Sequence, residues 1–442
     1  MNPERFPRAR LDDREAWPEA RLRRYQFAKL RTLVSLAHRE LPFYRRRFNG
    51  AGFDPEGLRD WDDFRRVPIL TKEEVLQAFE EQGHFSAGLE LHDPRTARVL
   101  SVTSGTLGTA FLSLSRSWRR ATGKALARAY RWAGFSPGMR LMTGAPAWHS
   151  LAVKESYAVP HLGATYVVPW GTFLPRFAGP FLDTLQDLRP ELVSIFLPML
   201  YAVLGECRRR GTDPREAFRS VESLLVNGAP MTPRSRAVLL HELGVPKLFE
   251  GLGSSEGLVA MECAFHQGHH VFVDTCYAEI VDPVTRAPLP PGQRGSVLLT
   301  SLIPHGSVYI RYDTGDLGEM LRERCRCGRT WPLLEVYDRC ANRFVVDGRE
   351  MVSYDVRLCL DEVPELVGVP FAVIRREGPM SHLRLAIQKP PASNPAALGA
   401  RVRAALEERL AVSAREEWVE ELPARWKGTP VIPEEEWGAP HG

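Results

Sequence analysis

Between about residues 97 and 320, short apolar runs of strand length alternate with longer stretches that have helical character. The apolar runs cover residues 140–142, 164–168, 192–196, 223–226 and 247–249. Strands that are separated by helices favour parallel pairing, because a parallel strand needs a long crossover connection. The pattern therefore predicts a mostly parallel, doubly wound α/β sheet. The β segments at 295–300 and 307–312 are expected to pair in a smaller sheet.

The two ends of the chain differ from this central part. The first hundred residues are mostly helical in pattern, and Thr71 is an N-cap candidate ahead of the acidic Glu73 and Glu74. After Asp338 the chain changes to short strands and two helices, which is typical of a compact α+β module. Strands are predicted at 344–346, 371–374 and 383–388, with helices from 353 and over 394–410. We divide the chain into residues 1–338 and residues 339–442.

Composition narrows the class of protein. The chain has 442 residues, of which 44% are hydrophobic and 25% charged, with a net charge of +4, as in an ordinary soluble enzyme. It lacks the basic and aromatic interleaving of nucleic-acid-binding proteins and the run of roughly 18 apolar residues that a membrane span requires. We therefore expect a cytoplasmic protein that binds neither nucleic acid nor membrane. Among the seven cysteines, Cys325 and Cys327 are typical of a metal site or of reduced thiols rather than of a disulfide framework.

The segment at residues 101–109 is dense in serine, threonine and glycine and follows the apolar Val99 and Leu100. Glycines let a backbone wrap closely around an anion, and hydroxyl groups add hydrogen-bond donors without bulk. The segment is therefore a candidate phosphate-binding loop. It lacks the lysine of a Walker loop, which argues against a P-loop NTPase. A polar surface turn is the alternative interpretation of this segment alone.

Further segments, taken in order, resemble the adenylate-forming superfamily and specifically its phenylacetate-CoA ligase-like branch. Residues 103–108 are similar to the T-S-G-T-T-G loop, 227–230 to the G-E/A-P turn, 249–256 to Y-G-x-[ST]-E, 309–317 to Y-R-T-G-D-L, and 425–432 to G-K-x-x-R-V-I. Residues 41–48 and 67–72 resemble the N-terminal segment of that branch. The resemblance spans almost the whole chain. It implies a large N-terminal domain with doubly wound sheets and a small, mobile C-terminal α+β domain.

The resemblance also implies a role for individual residues. The loop residues that would hold the ATP phosphates are Thr103, Ser104, Gly105, Thr106, Gly108 and Thr109. The turn that would line the adenine and acyl pocket consists of Gly228, Ala229 and Pro230. Ser255 would approach the α-phosphate, and Glu256 would coordinate Mg²⁺. Asp316 would accept hydrogen bonds from the ribose hydroxyls, Arg339 would contact ribose or phosphate, and Lys427 is the candidate catalytic lysine.

The sequence departs from the family pattern at several of these places. Leu107 stands in the loop, and Leu252 replaces the usual aromatic residue. The expected acidic hinge residue after Arg339 is absent, because Cys340, Ala341 and Asn342 follow it. Trp426 and Pro430 replace a glycine and a basic residue of the C-terminal motif.

A second constellation suggests a metal. Cys263 and three histidines, His266, His269 and His270, precede Cys325 and Cys327. Three thiolates and one imidazole form a closed tetrahedral Zn²⁺ site, which is typical of structural zinc. The residues leave open which histidine is the ligand, and the resemblance points to His270. Reduced thiols beside surface histidines are the alternative.

Together these features predict activation of a small carboxylic acid, aryl or arylacetic, with ATP and Mg²⁺ to an acyl adenylate and pyrophosphate. Transfer to coenzyme A would follow; a carrier protein, an amine or another small nucleophile is the alternative acceptor. Enzymes of this branch are often dimers, so a homodimer is expected.

Two other classes of protein compete with this interpretation. Residues 253–257 satisfy G-x-S-x-G, the nucleophile elbow of serine hydrolases, with Ser255 as the nucleophile. The glycines of 251–257 also approximate a Rossmann fingerprint, with the last one a residue late. A non-catalytic, zinc-stabilised nucleotide-binding protein is the remaining alternative.

Overall fold

The computed structural model describes residues 13–82, 89–91, 99–102, 111–114, 116–169, 175–254, 257–303, 306–390, 393–422 and 430–437. The α-helices in this part of the chain are α1 (Glu19–Glu40), α2 (Pro42–Gly50), α3 (Trp61–Arg65), α4 (Lys72–Gln82), α5 (Arg116–Trp132), α6 (Ser150–Leu162), α7 (Ala178–Leu188), α8 (Leu197–Arg210), α9 (Pro214–Ala217), α10 (Pro233–Leu243), α11 (Ser353–Leu360) and α12 (Pro395–Leu410).

The first strands of the chain belong to the predicted α/β region or lie just before it. They are β1 (Glu90–Leu91), β2 (Val99–Val102), β3 (Phe111–Leu114), β4 (Arg140–Thr143), β5 (Thr165–Val167), β6 (Leu192–Phe196), β7 (Ser223–Asn227), β8 (Leu248–Ser254), β9 (Gly257–Glu262) and β10 (His269–Val271). The later strands are β11 (Cys276–Val281), β12 (Gly295–Ser301), β13 (Gly306–Ser307), β14 (Tyr312–Met320), β15 (Leu333–Arg339), β16 (Phe344–Val346), β17 (Arg349–Met351), β18 (Phe371–Arg375), β19 (Leu383–Gln388), β20 (Ala414–Val419) and β21 (Val431–Pro433).

One sheet of eleven strands forms the centre of the molecule, in the order β11-β12-β14-β15-β10-β9-β8-β7-β6-β4-β5. The five strands from β5 to β8 pair in parallel. From β8 onward every pair is antiparallel. The prediction of parallel strands joined by helices is thus confirmed for one half of this sheet. The other half is antiparallel because its strands are joined by short connections without helices.

Two details of the sequence prediction are wrong. The segments near 295 and 312 do not form a smaller sheet, since β12 and β14 pair with each other inside the main sheet. The predicted strand over 307–312 is interrupted, because residues 308–311 lie between β13 and β14. In this interruption Arg311 adopts a φ of +47° and is buried, with Nε 3.2 Å from Glu279. The buried ion pair fixes a bend where alternation alone predicted a continuous strand.

The N-terminal helices pack against this bend. Tyr44 on α2 donates its hydroxyl to the carbonyl of Val308 at 2.8 Å, and it lies in a core cluster with Leu30, Phe48 and Phe64. The expected cap is also present. Glu74 donates its backbone N–H to Oγ1 of Thr71 at 3.3 Å, while its carboxylate accepts from the Thr71 N–H at 2.8 Å. This reciprocal pair is a capping box at the start of α4.

The C-terminal part has a four-stranded sheet in the order β20-β19-β18-β21, covered by α11 and α12 around a separate core. The predicted α+β module is therefore confirmed in its elements. Asn394 caps α12 with its side-chain oxygen, 3.1 Å from the Ala396 N–H. The boundary between residues 338 and 339 remains a prediction.

Among the described helices, none combines the length and the apolar composition that crossing a membrane would require.

Candidate active site and metal centre

The carboxyl ends of the parallel strands carry the first part of the site. Open α/β sheets bind ligands at this edge, where the connections diverge. Strand β7 ends at Asn227 and leads into the turn of Gly228, Ala229 and Pro230. Gly228 has a φ of +91°, and a Cβ there would lie 2.8 Å from the ring of Phe196. The position thus requires glycine both for its backbone angle and for its contact with an aromatic wall.

A polar network lies beneath this turn. Asn227 donates from Nδ2 to Oγ of Ser194 at 3.3 Å, and Ser194 in turn bonds the buried carboxyl of Glu155 on α6. The same carboxyl accepts from Tyr130 at 2.5 Å and from Tyr166 at 3.0 Å. Burial raises the pKa of Glu155, although these hydroxyl donors oppose the shift. The network connects α6 to the turn after β7, and the sequence analysis did not find it.

A buried ionic cluster supports the same turn from the next strands. Arg236 on α10 binds the Glu262 carboxylate with both terminal nitrogens, at 2.8 and 2.9 Å, and also binds Glu250. Glu250 accepts the backbone N–H of Met231 at 2.8 Å, which fixes the residue after the turn. Burial, together with the Glu262 charge, raises the pKa of Glu250. Burial by itself would raise the pKa of Glu262, but hydrogen bonding by His266 and the Arg236 charge lower it.

Asp316 and Arg339 belong to the antiparallel half of the sheet. They are register partners on β14 and β15, and Nη1 of Arg339 lies 2.5 Å from Oδ1 of Asp316. Both side chains are partly exposed, at 28% for Asp316 and 48% for Arg339. The structure therefore brings together two residues that the sequence assigned to ribose or phosphate contacts. It leaves their carboxylate and guanidinium accessible to a ligand.

The replaced hinge has its own network. Asp338 accepts the backbone N–H of Ser353 at 3.0 Å, and Nδ2 of Asn342 lies 2.6 Å from its other oxygen. The Ser353 hydroxyl also donates to this carboxylate. Burial raises the pKa of Asp338, whereas these donors lower it. Asp338 thus ties the end of β15 to the start of α11.

Helix α11 and its C-terminal end also contact the parallel half of the sheet. Asp361, which directly follows α11, is buried and accepts from the hydroxyls of Thr232 and Ser235, the latter at 2.5 Å. Near the start of α11, Asp355 pairs with Arg294 at 2.9 Å. The C-terminal module therefore contacts both the segment after the Gly228 turn and the antiparallel strands.

Four predicted metal ligands lie together. The ligand atoms of Cys263, His270, Cys325 and Cys327 are all within 4.8 Å of one another. Sγ of Cys263 is 3.5 Å from Sγ of Cys325, and Sγ of Cys327 is 3.4 Å from Nε2 of His270. Hydrogen bonds among the three thiols lower the pKa of Cys327 and raise the pKa of Cys263. The donor set and its closeness fit a closed tetrahedral zinc site.

Strand alternation decides among the three candidate histidines. His269 and His270 are adjacent on β10, so their side chains lie on opposite faces of the sheet. His270 joins the cysteines. His269 joins the carboxylates, within 4.8 Å of Glu250 and Glu262. His266 instead contacts Glu262 at 3.2 Å. The choice of His270 thus agrees with the geometry of the described residues.

The nucleophile-elbow hypothesis is wrong. An elbow needs a sharp turn between a strand and a helix. Here β8 continues to Ser254 and β9 begins at Gly257, and the two strands pair antiparallel. The Rossmann alternative fails for the same reason, because Gly251 and Gly253 lie within β8 rather than at the start of a helix.

Several predicted site residues lie outside the described part of the chain. They are Thr103, Ser104, Gly105, Thr106, Gly108, Thr109, Ser255, Glu256 and Lys427. Their roles remain predictions from the sequence.

Comparison with known proteins identifies the family. The model of the AMP-binding enzyme family matches residues 64–302. A phenylacetate-coenzyme A ligase of Thermus thermophilus is 30% identical over 388 residues, which cover 85% of this chain and 83% of that relative. The chain belongs to the AMP-binding enzyme family. Within the adenylate-forming superfamily this enzyme falls in the phenylacetate-CoA ligase-like branch, and a second phenylacetate-coenzyme A ligase, from Aromatoleum evansii, is 25% identical over 87% of the chain.

Solved structures of other AMP-forming ligases share the fold. A 2-hydroxyisobutyryl-CoA ligase in a post-adenylation state, bound to its acyl-AMP, superposes with a TM-score of 0.86 at 22% identity, covering 98% of this chain and 96% of that one. The same ligase in the thioesterification state superposes with a TM-score of 0.70. An anthranilate CoA ligase with anthranoyl-AMP covers 74% of this chain and 64% of that one, at a TM-score of 0.57 and 17% identity. These likenesses confirm the fold of a two-part adenylate-forming enzyme.

Proposed function

We propose that this AMP-binding enzyme activates an aryl or arylacetic acid with ATP to an acyl adenylate, releases pyrophosphate, and transfers the acyl group to coenzyme A. The observation that carries the proposal is the similarity to a phenylacetate-coenzyme A ligase over 85% of the chain. Three features of the structure support a nucleotide site. They are the pair of Asp316 and Arg339, the Gly228 turn, and the polar network beneath that turn.

Individual residues have separate roles in binding the nucleotide and activating the acid. The Asp316 carboxylate accepts both ribose hydroxyls, because two carboxylate oxygens match a diol. The Gly228 turn, fixed through Met231 by Glu250, forms a rigid edge for the adenine and acyl groups. Lys427 offsets the negative charge that develops between the acid and the α-phosphate. Glu256 would hold Mg²⁺, which supplies charge neutralisation of the phosphates when it is bound.

Zinc is the second part of the proposal. Cys263, His270, Cys325 and Cys327 would hold a structural Zn²⁺ with no open coordination position. Nδ1 of His270 is buried without a hydrogen-bond partner among the described residues, while Nε2 contacts Cys327 and the ring packs beside Trp132. A Zn²⁺ ion bound at Nε2 would hold the His270 imidazole in place in addition to these contacts. The ion would join the segment after β9 to the segment before β15.

The small C-terminal unit, residues 339–442, would control the second half-reaction. Asp338, Arg294 and Thr232 are among the residues of 1–338 that form polar contacts with it. Polar contacts of this kind separate at lower cost than an apolar core, which suits a unit that changes orientation between steps.

We also expect a cytoplasmic enzyme and a homodimer. Cell fractionation and light scattering of the purified protein test these two expectations.

The experiment that tests the activity is pyrophosphate release with ATP and Mg²⁺ over a panel of aryl, arylacetic and short-chain acids, with and without coenzyme A. Release that depends on one acid, and an acyl thioester found by mass spectrometry, would support the proposal. Release that is independent of coenzyme A would point to a carrier protein, an amine or another small nucleophile as acceptor. Nucleotide binding without release on any acid would contradict the proposal and favour the non-catalytic alternative.

Variants test the assigned residues. Lys427→Ala and Glu256→Ala should each slow adenylate formation by roughly a hundredfold or more, because each removes a group that acts on developing charge. Lys389→Ala is the matched control for the first, since Lys389 is an exposed lysine of the C-terminal unit. Glu242→Ala is the matched control for the second. Wild-type rates in Lys427→Ala or Glu256→Ala would contradict that assignment.

A further inference from the structure

A buried carboxylate of the C-terminal unit is bound by two hydroxyls from residues 1–338. Asp361, directly after α11, is 1% exposed, and its Oδ2 accepts from Oγ1 of Thr232 and from Oγ of Ser235, both at 2.5 Å. Thr232 and Ser235 are also buried, at the start of α10. A carboxylate at this place faces the positive end of the helix dipole, which is favourable. We name these three residues the Asp361 latch.

The Asp361 latch lies next to the turn that is proposed to line the adenine and acyl pocket. Thr232 directly follows Met231 in the sequence. The backbone N–H of Met231 donates to Glu250 at 2.8 Å, so this end of the turn is fixed to β8. One peptide unit and one hydrogen bond therefore connect the fixed end of the turn to the C-terminal unit.

Both sides of the latch keep a partner of their own when the contact between them is broken. Asp361 also binds Nη1 of Arg357 on α11 at 3.0 Å. Thr232 accepts the backbone N–H of Ser235 at 3.0 Å as the cap of α10. Water can then replace the hydroxyl donors at the carboxylate. The contact can therefore open without leaving a buried unpaired charge, which would be costly.

The surface beside the latch fits closely. Tyr201 on α8 hydrogen-bonds Ser235, and its ring lies against Gly368 of the C-terminal unit. Gly368 has a φ of +73°, and a Cβ there would lie 2.7 Å from the Tyr201 ring. Glycine thus lets the C-terminal unit approach α8 closely. Since packed surfaces of this kind do not deform continuously, the contact favours one relative position of the two units while the latch is closed.

We propose that Asp361 is a positioning residue that sets the balance between the two half-reactions, because it holds the C-terminal unit in the described orientation through Thr232 and Ser235. The inference rests on the proposed function, in which residues 339–442 change orientation between adenylate formation and acyl transfer. It goes beyond that function by naming the contact that must break. A contact made in only one orientation favours the half-reaction that uses this orientation and slows the other. One hydrogen bond to a carboxylate corresponds to roughly tenfold or more in the ratio of the two orientations.

The test measures the two half-reactions of the whole protein separately, with the acid that gives the fastest pyrophosphate release. Exchange of labelled pyrophosphate into ATP reports adenylate formation, and thioester formation from the bound acyl adenylate reports transfer to coenzyme A. Ser235→Ala should change the ratio of the two rates by roughly fivefold or more. Ser235→Thr keeps the hydroxyl and should restore the ratio. Ser156→Ala removes an exposed hydroxyl from α6 and is the matched control, with the wild-type ratio expected.

Amide hydrogen exchange gives a readout that does not depend on activity. Residues 353–366 lie across the latch from Ser235 and should exchange faster in Ser235→Ala than in the wild type, because the latch opens more often. The same residues should exchange at the wild-type rate in Ser156→Ala. Asp361→Asn keeps the shape of the side chain and removes its charge, and it serves as the second variant if Ser235→Ala does not fold. Its control is Glu362→Gln, at the exposed neighbouring position.

A ratio of half-reaction rates within about twofold of wild type in Ser235→Ala would overturn the proposal. Equal slowing of both half-reactions would overturn it as well and indicate a structural role. Failure of the proposed function is seen separately, as a wild-type protein without acid-dependent pyrophosphate exchange. Hydrogen exchange then decides by itself, and unchanged exchange of residues 353–366 in Ser235→Ala would overturn the latch.

Discussion

Arg339 and Asp316 face each other across two neighbouring antiparallel strands, with Nη1 of the arginine 2.5 Å from Oδ1 of the aspartate. Gly315, beside Asp316, has a φ of +72°, and a Cβ there would lie 2.8 Å from the Arg339 guanidinium. The glycine thus makes room for the arginine. The pair holds the carboxylate in place, and because each carboxylate oxygen has more than one acceptor site, both oxygens of Asp316 can still accept from the ribose hydroxyls of a nucleotide.

The first prediction concerns this pair. Asp316→Asn should weaken AMP binding by roughly tenfold or more, because an amide offers one acceptor oxygen where the diol needs two. Calorimetric titration with AMP measures the effect. Asp187→Asn, at an exposed position on α7, is the control and should bind AMP as the wild type does. Equal affinities of the Asp316 variant and the wild type would remove Asp316 from the nucleotide site.

The second prediction concerns zinc. Cys325→Ser should reduce the zinc content from about one ion per chain to well below half and lower the melting temperature, since a structural site contributes to folding. Elemental analysis of the purified protein and thermal unfolding measure the two effects. Cys359→Ser changes a buried cysteine in the separate C-terminal core, so its zinc content should remain at the wild-type value. A wild-type protein purified without zinc, and not stabilised by added zinc, would contradict the site.

The third prediction is a pH dependence. Burial raises the pKa of Glu155 above its ordinary value of 4.5, so the folded protein holds this proton more tightly than the unfolded chain does. The stabilisation is fully present below about pH 4.5 and is lost as the pH rises through the higher folded pKa. The wild type should therefore lose stability relative to Glu155→Gln as the pH rises from about 4.5 to the folded pKa of Glu155, and the difference should level off above the folded pKa.

Urea denaturation at a series of pH values measures this difference, and Glu222→Gln is the exposed control. The difference in unfolding free energy between wild type and the control should stay constant with pH. If the difference in unfolding free energy between wild type and Glu155→Gln is also constant with pH, the Glu155 carboxyl has the same pKa in the folded and unfolded states, which contradicts the prediction.

The fourth prediction concerns a buried ion pair that holds the N-terminal segment. Arg329 binds Glu15 at 2.9 Å, and the Trp132 indole donates to the same carboxylate at 3.2 Å. Arg329→Met leaves a buried carboxylate without its main partner, so it should cost about 3 kcal/mol or more of unfolding free energy. The double variant with Glu15→Met should lose less than Arg329→Met alone, because no unpaired charge remains.

Chemical denaturation of the two variants measures the loss. Arg324→Met removes an arginine from an exposed pair with Glu19 and should change stability by less than about 1 kcal/mol. A similar small change in Arg329→Met would show that the Glu15 carboxylate is not dependent on its arginine.

The sequence by itself determined the local elements and the order of the motifs. Alternating apolar runs located β6, β7 and β19 almost to the residue, because side-chain period and turn residues are local properties. Capping chemistry likewise located the start of α4, through Thr71. Motif order was sufficient to predict the family, since it does not depend on how the elements pack.

Only the tertiary structure decided what depends on contacts between distant segments. It separated His270 from His269, because alternation on β10 assigns the two rings to different clusters. It excluded the nucleophile elbow, because β8 is followed by an antiparallel strand. The sequence does not distinguish Glu155 and Lys154 from the residues of a solvated helix face. The structure buries both side chains, so that Glu155 accepts from Tyr130 and Lys154 donates to Gly257. Electrostatic environment is set by long-range packing, so residue types and spacing alone do not determine it.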